Sequence, residues 1–569
     1  MQDESSVIQL LQQVLSLPQK EISDLLDIPP DEKLGDISLA CFKLATVFKK
    51  NPQIIAKELE TTIELPKDSI IKEIKAVGGF LNFFFDIPKL AKRTLTKIWN
   101  EKNLYGYKHN ENKGKTVVVE FPSPNTNKQL HLGHLRNMAL GESISRILAT
   151  QGFNVAKVNL LNDRGIHICK SMLAYKNWGS NKEPDKKPDH FVGDFYVLFS
   201  KKIEKYPTLE EEAQRLLKKW EAKDSETIAL WQKMTDWAIQ GFNQTFDRFG
   251  VTFDKIYRES NLWEKGKEII MDGLEKNLFR KDEIGNIVVD LGEPLGTKVL
   301  LRADGTSVYI TQDLYLAKKK YDDFNYTKSI YVIGSEQNYH LNVLFQILKM
   351  MKFEFAEGCY HLSHGMISLP EGKMKSREGT VVDADDLIDE LIEMAKAEII
   401  SRKQISESEI DKIAVEIAMA ALKFFLLKWV ASKDFVFQPK ESISLYGKTG
   451  PYLQYSFVRA NKILQKISIK PTLEVDFSSF IEKEEISLIK SLKDYPEVLE
   501  RASLLYSPHL LAEYSHQLAS SFNLFYEKYR VIGESDNEIQ KARLLLVKCF
   551  RDVMKNCLYM FGINSVEIM

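Results

Sequence analysis

The spacing of apolar positions changes character along the chain, and those changes predict its elements. Thr116 to Val119, with Phe121 beyond Glu120, is β-branched and apolar and predicts a buried strand. A Pro-rich turn follows. Leu135, Met138, Leu140, Ile144, Ile147 and Leu148 then recur at helical spacing. Val155–Leu161 predicts a second strand, ending at Asn162-Asp-Arg-Gly165. Ile287–Leu301 and Ser307–Ile310 read as strand-like, and Thr311–Tyr321 as helical. Ser329–Gly334 predicts another buried strand, ending at Ser335-Glu-Gln337. A helix to Met351, a strand through His361 to Leu369 and an amphipathic helix over Asp385–Ile400 complete the series. Strands alternating with helices, with polar residues at strand ends, predict a Rossmann-like doubly wound parallel sheet. In such a sheet ligands bind beyond the carboxyl ends of the strands.

Before this region the pattern differs. Val7–Leu15 has helical spacing, Asp31–Asp36 is a polar turn, and Ile37–Phe48 again reads as helical. Gly78-Gly-Phe-Leu-Asn-Phe-Phe-Phe85 reads as a strand opened by glycines, its aromatics directed to a core. Lys108–Lys115 is polar and aperiodic, a linker. Pro184 to about Glu226 is rich in charge and predicts an inserted, solvated helical segment. After residue 447 the signal is almost purely helical. The expected architecture is multidomain α/β: a small α/β domain over 1–111, a Rossmann-like catalytic domain over 112–446, and an all-α domain over 447–569.

Composition narrows the class without fixing it. The 569 residues are 44% hydrophobic and 28% charged, ordinary for a globular protein, with a formal net charge of −1. No global basic excess advertises a polyanionic partner. Residues 450–569 carry 15 Lys and Arg against 15 Asp and Glu. The five cysteines are scattered, with no CxxC or Cys/His cluster, so neither zinc nor a disulfide framework is expected. The acidic N-terminus is not a signal peptide, and no apolar run is long enough to span a bilayer. A cytoplasmic location is expected.

Two stretches carry candidate chemistry. His131-Leu-Gly-His134 opens the helix after the first strand, behind Phe121-Pro-Ser-Pro-Asn-Thr-Asn-Lys128. Two imidazoles three residues apart share a face. A helix start offers unpaired N–H groups to phosphate. Gly133 leaves room for a flat ring against the backbone. The second stretch, Gly372-Lys-Met-Lys-Ser-Arg-Glu-Gly379, places Lys373, Lys375 and Arg377 between glycines, a set suited to a polyphosphate. Neither stretch has the spacing of a Walker loop. Taken alone, each also reads blandly, as capping histidines and as a solvated basic turn.

Together these two stretches resemble the signature motifs of class I aminoacyl-tRNA synthetases. The flanking residues narrow the resemblance to arginyl-tRNA synthetases: Ser123-Pro-Asn125 with Lys128, Arg302-Ala-Asp-Gly-Thr-Ser-Val-Tyr-Ile-Thr-Gln-Asp313, Gly450-Pro-Tyr-Leu-Gln-Tyr455, Leu34-Gly-Asp-Ile-Ser38 and Gly79-Phe-Leu-Asn-Phe83. The second motif departs from the class pattern. Lys375 stands where the first Ser of Lys-Met-Ser-Lys-Ser belongs, and Ser376 where the second Lys belongs. In this family a lysine upstream of the histidines is thought to substitute, and here that lysine is Lys128.

The resemblance implies an arginine–tRNA ligase that uses ATP with magnesium, binds L-arginine and tRNA, and works as a monomer. It implies that His131, His134, Lys128, Lys373 and Lys375 serve the chemistry. ATP would meet Gly133, His131, His134, Met366, Lys373, Ser376 and Arg377. Arginine would meet Glu120, Ser123, Asn125, His134, Tyr309, Asp313 and Gln337. The tRNA would meet Tyr455, Arg459 and Lys462, with Phe457 available for stacking. Glu120 and Asp313 argue for a cationic substrate, because a guanidinium pairs with two acid oxygens at once. A related enzyme for another amino acid and a non-catalytic relative are the alternatives.

Overall fold

The structure, a computed structural model, describes residues 2–370, 382–402 and 406–569. The chain divides into two compact units. One comprises Met1–Tyr105, Arg459–Glu497 and Gln517–Met554, the other Gly106–Val458, Val498–His516 and Lys555–Met569.

In the first unit a four-stranded antiparallel sheet runs in the order Leu26–Asp27, Ile37–Ala40, Phe80–Phe85, Ile71–Val77. Residues 37–40, expected to be helical, are therefore a strand, and the helix begins only at Phe42. The helical spacing is real, but Ser38 and Leu39 find partners in Asn82 and Leu81, and tertiary pairing overrides local periodicity. Gly78, at φ +60°, makes the tight turn into the Phe80 strand. Leu81, Phe83 and Phe85 are buried as expected. Phe80 is not: it is 42% exposed and meets Phe42 edge-on, with ring centroids 5.2 Å apart.

The second unit is built on a parallel sheet. In chain order its principal elements are β1 (Thr116–Glu120), α1 (Leu132–Thr150), β2 (Asn154–Leu161), α2 (Pro188–Ile203), α3 (Ser225–Phe249), β3 (Lys255–Arg258), α4 (Tyr309–Phe324), β4 (Lys328–Gly334), β5 (Cys359–His364) and α5 (Ala384–Arg402). The strands lie in the order β5-β4-β1-β2-β3, all parallel. Strand order reverses at β1, between β2 and β4, so the segment after β1 opens at the sheet's switch point. Val117, Val118 and Val119 are fully buried, as a strand covered on both faces requires. Phe121 packs so tightly on Gly141 of α1 that a Cβ there would overlap its ring.

Two expectations are corrected here. The run 287–301 does not join the parallel sheet. It folds back at Gly292–Gly296 and, with Arg280–Lys281, makes a separate three-stranded antiparallel sheet. Ser307–Ile310 is not a strand either. Ser307 makes a single bridge to Leu301, and α4 starts at Tyr309. The insertion after residue 184 is helical, but α2 is only partly solvated: it buries Phe191, Val192, Phe199 and the acid Asp189. Its charges coat one face of a helix whose other face is core.

Candidate active site

The carboxyl ends of all five parallel strands carry polar residues on one edge of the sheet. Glu120 closes β1, Asn162-Asp163-Arg164 follow β2, Glu259 follows β3, Gln337 lies just beyond β4, and His364 closes β5, with Gly365–Met366 beyond it. The turn after β1 is held by β2. Asn125 bridges Asn162, the Asn162 N–H donates to Pro124 O at 3.0 Å, and the Thr126 N–H donates to Asn162 O at 3.1 Å. Ser123 sits at φ +56°, a conformation costly for a residue with a Cβ. Its N–H donates to Asn159 Oδ1 at 3.2 Å, while its buried Oγ has no partner. Thr126 Oγ1, Asn127 Oδ1 and Asn159 Nδ2 are also buried without partners. Several unsatisfied polar atoms in one turn mark a place that expects a ligand. Asn125 is exposed and Lys128 half-buried.

At the start of α1 the two histidines cap the helix. The Gly133 N–H donates to His131 Nδ1 at 3.2 Å, and the His131 N–H donates to His134 Nδ1 at 3.1 Å. Because each Nδ1 accepts, each ring carries its proton on Nε2. The rings lie 3.8 Å apart, centroid to centroid. Burial, helped by Lys128, draws His131 down to about 4. Burial, His131 and Lys128 hold His134 well below the usual imidazole range. Both are therefore neutral N–H donors at pH 7. The capping role expected of ordinary histidines and the ligand role are thus compatible, since one uses Nδ1 and the other Nε2. Gly133 is hemmed by the His131 ring itself, whose Cε1 would lie 3.0 Å from a Cβ.

Glu120 is not turned to solvent. Its side chain is 4% exposed and accepts a 2.7 Å bond from Lys320 Nζ on α4, a lysine that is fully buried. Lys320 also lies 3.6 Å from the centre of the Tyr331 ring. Glu120 thus has an internal cation, one that no motif signalled. On the same helix Tyr309 is 63% exposed, and Asp313 Oδ2 meets His340 Nε2 at 2.6 Å. Gln337 is exposed in a short turn. Another acid, absent from the sequence reading, stands out. Glu259 is 2% exposed, and burial raises its carboxyl to about 7, against a Gln312 hydrogen bond and Arg164 and with help from Asp163 and Asp313. It follows a strand, as Glu120 closes one, but Lys255-Ile-Tyr-Arg258 has no apolar run that would have singled it out in the sequence.

Beyond β5, Met366 is 54% exposed. Its N–H donates to Asp434 Oδ1 at 2.6 Å and its carbonyl accepts from the Phe435 N–H at 3.1 Å. Lys373, Lys375, Ser376 and Arg377 lie outside the described residues. The segment that follows them is anchored to the first motif: the Leu132 N–H donates to Val382 O at 3.0 Å, the Ala384 N–H donates to Leu130 O at 3.1 Å, and Asp383 bridges His131. A charged cluster from α2 and α3 grips this segment. Lys187 Nζ lies 2.8 Å from Asp189 and 3.0 Å from Asp385, Arg248 lies 3.3 Å from Asp385, and His190 Nε2 is 3.4 Å from Asp383. His190, Asp383 and Asp385 lie close enough to share an ion, yet Lys187 and Arg248 already stand against Asp385.

The expected tRNA residues share the helix Gly450–Lys466. Tyr455 and Lys462 are half-buried and Phe457 is buried. Arg459 donates to Asn523 Oδ1 at 2.8 Å and lies over the Tyr526 ring. Among the described residues no helix is long and apolar enough to cross a membrane.

Comparison with known proteins matches every region of the chain. Residues 94–438 match the class I tRNA synthetase (R) catalytic domain, 453–569 the DALR anticodon binding domain, and 4–85 the arginyl tRNA synthetase N-terminal domain. The arginine–tRNA ligase of Treponema denticola is 44% identical over 560 residues, spanning 96% of this chain and 94% of the relative. That of Borrelia hermsii is 40% identical over 573 residues, spanning 97% and 96%. The arginyl-tRNA synthetase structure from Thermus thermophilus superposes with a TM-score of 0.82 at 25% identity, covering 100% of this chain and 99% of that one. On this fold, these matches and the site at the carboxyl edge of its sheet, the chain belongs to the arginyl-tRNA synthetase family.

Proposed function

We propose that the edge described above carries out the family's ligation in two steps. In the first, an arginine carboxylate oxygen attacks the α-phosphorus of ATP. The α-phosphorus–oxygen bond to the β-phosphate breaks, and pyrophosphate leaves with the electron pair. In the second, a hydroxyl of the tRNA 3′-terminal ribose attacks the arginyl carbonyl carbon, AMP leaves, and the hydroxyl proton is lost. The first attack needs no protein base, because the carboxylate is already a nucleophile. It needs alignment and neutralisation of charge. The observation that carries this reading is the histidine pair: two neutral rings, fixed by their own Nδ1 bonds, present Nε2–H donors at a helix start where a triphosphate is stabilised.

Lys128 supplies positive charge beside those rings, and we assign Lys373, Lys375, Ser376 and Arg377 to the departing pyrophosphate. Magnesium is assigned to the nucleotide's own phosphate oxygens and water, as is usual for this ion. Adenine is assigned to Gly133 and the Met366 region. For arginine, Ser123, Asn125 and His134 suit the α-carboxylate and α-amine. Tyr309, Asp313 and Gln337 suit the guanidinium, with Glu259 as the acid that lacks a fixed counter-ion. Glu120 lines the same edge, its charge already balanced by Lys320. A site of this kind rejects a mismatched side chain by leaving its acids unpaired, worth roughly 10⁴-fold.

We assign the tRNA contacts to Tyr455, Arg459 and Lys462 and to the N-terminal module. The exposed Phe42–Phe80 pair suits a splayed base. Domain limits at 111/112 and 446/447, a monomeric state and a cytoplasmic location complete the proposal. Charging of purified tRNA pools with labelled arginine, lysine, glutamine and cysteine tests it. Arginine alone should be incorporated, and preference for any other amino acid overturns the assignment.

A further inference from the structure

Arg136 lies in the first motif's helix, one residue beyond Leu135, and is fully buried. None of its hydrogen-bond partners is an acid. NH1 donates to Gly365 O at 2.9 Å and to Lys433 O at 3.1 Å. NH2 donates to Ala431 O at 2.6 Å and to Lys433 O at 3.2 Å. The guanidinium also faces the Phe435 ring, 4.7 Å from its centre. The carbonyls it gathers belong to two segments that are themselves joined. The Gly365 N–H donates to Ala431 O at 2.9 Å, Met366 bonds to Asp434 and Phe435, and Ile367–Ser368 pairs in parallel with Phe435–Val436. The next residue, Asn137, repeats the pattern. Its Nδ2 donates to Pro122 O at 3.3 Å, and its Oδ1 meets His364 Nε2 at the end of β5.

Burying a cation with no carboxylate bonded to it is expensive, and an apolar side chain of the same volume would fill the space more cheaply. What an apolar side chain lacks is a planar fork that fixes several carbonyls at once. A lysine lacks it as well, being a point charge with three rotatable donors. We infer that Arg136 is a positioning residue for the nucleotide: from the helix that carries the histidine pair, it holds the Gly365–Met366 segment in place. The two protein surfaces assigned to ATP, the imidazoles at one end and the Met366 region at the other, are thereby tied together through this side chain, with Asn137 beside it. This rests on the placement of adenine proposed above. Burial draws the guanidinium down to about 10, Asp434 opposing, so it stays charged at neutral pH.

Arg136→Lys tests the inference in the full-length chain, with tRNA, arginine and ATP each varied. The expected result is an ATP KM raised about tenfold, the effect of losing one charge-assisted bond, with the arginine KM within twofold. Equal movement of both constants, or of neither, overturns it. If Arg136→Lys does not fold by circular dichroism, Phe435→Leu decides: it keeps the guanidinium and removes the ring beneath it. Here the ATP KM should rise about threefold, again with the arginine KM within twofold. An unchanged ATP KM, or a parallel rise in both, overturns the inference. Failure of the wild-type chain to charge tRNA with arginine would instead overturn the functional reading on which the inference stands.

Discussion

Single residues at the sheet edge divide into acids that have a cation and acids that do not. Glu120 has Lys320. Glu259 makes no ion pair among the described residues, and burial, against a Gln312 hydrogen bond and the Arg164 charge, holds its carboxyl up near 7. An arriving guanidinium stabilises the ionised form and lowers that value. Below pH 7 arginine binding should therefore release a proton, and arginine affinity should rise with pH until Glu259 is fully ionised. Calorimetric titration with arginine at pH 6.5, in two buffers of different ionisation enthalpy, measures the release. About half a proton or more is expected. Glu259→Gln should abolish it. An unchanged release in that variant would move the proton to another group. The histidine motif and the acid at the end of the first strand were legible in the sequence, because each breaks an apolar pattern at a strand end. The Glu120–Lys320 pair was not, since nothing local to either residue indicates the other.

At the scale of elements, the start of α1 and the start of α5 are stitched together and then gripped from α2 and α3. Asp383 caps α5 by accepting the N–H groups of Asp385 and Asp386 at 2.8 and 3.1 Å, while its other oxygen faces His190. For His190, burial alone would lower the pKa. The nearby carboxylates of Asp385, Asp383 and Asp189 overcome it, so the value is raised, with Lys187 opposing. For Asp385, burial alone would raise it, but His190, Lys187 and Thr245 hold it well below the carboxylate range. The signs are opposite. The His190 contribution is complete below the unfolded histidine value, near 6.5, and lost as pH rises through its raised folded value. The Asp385 contribution is complete above the unfolded aspartate value, near 3.8, and lost as pH falls toward its folded value. The grip is therefore strongest between about pH 4 and 6.5. Thermal unfolding should show a midpoint that falls from pH 6 to 8.5, and His190→Gln should flatten that fall. A slope identical to wild type would remove His190 from the grip. The helices themselves were legible from periodicity. That α2 has a buried face was masked by its charges, and that residues 37–40 pair as a strand was invisible without their partner.

Across the molecule, the helical C-terminal region does not fall into one compact unit. Residues 498–516 and 555–569 belong with the parallel sheet. The contacts there are strong ones. Lys423 Nζ donates to Gly562 O at 2.6 Å, Arg146 donates to Tyr559 O at 2.8 Å and lies over its ring, and Gln454 Nε2 donates to Asn564 O at 2.9 Å. Burial, with Arg146 nearby, draws Lys423 down to about 8. Removing residues 555–569 would strip both cations of their carbonyl acceptors. The loss should be at least about 3 kcal/mol, taking each bond to a charged group at roughly 1.5 kcal/mol or more. Urea unfolding of the shortened chain measures it. A loss under about 1 kcal/mol would mean the tail is dispensable to the sheet unit. Domain order was legible in the sequence as a change of hydrophobic period. The interleaving of the C-terminal helices between two units was not, because periodicity reports which face a helix buries and not what it is buried against.

The Glu120–Lys320 bond also sets a clock for synthesis. The two residues lie 200 positions apart. A ribosome adding roughly 5–20 residues per second delivers the lysine some 10–40 s after the glutamate. Until then the central strand of the sheet carries an acid whose burial has no compensating charge, and β4, its neighbour on one side, has not been made. The nascent chain can form the N-terminal sheet and α1 in that interval, but β1 gains its buried counter-ion only when α4 has been made. The charge balance of the central strand is thus completed only after β1, β2 and β3 have all been made.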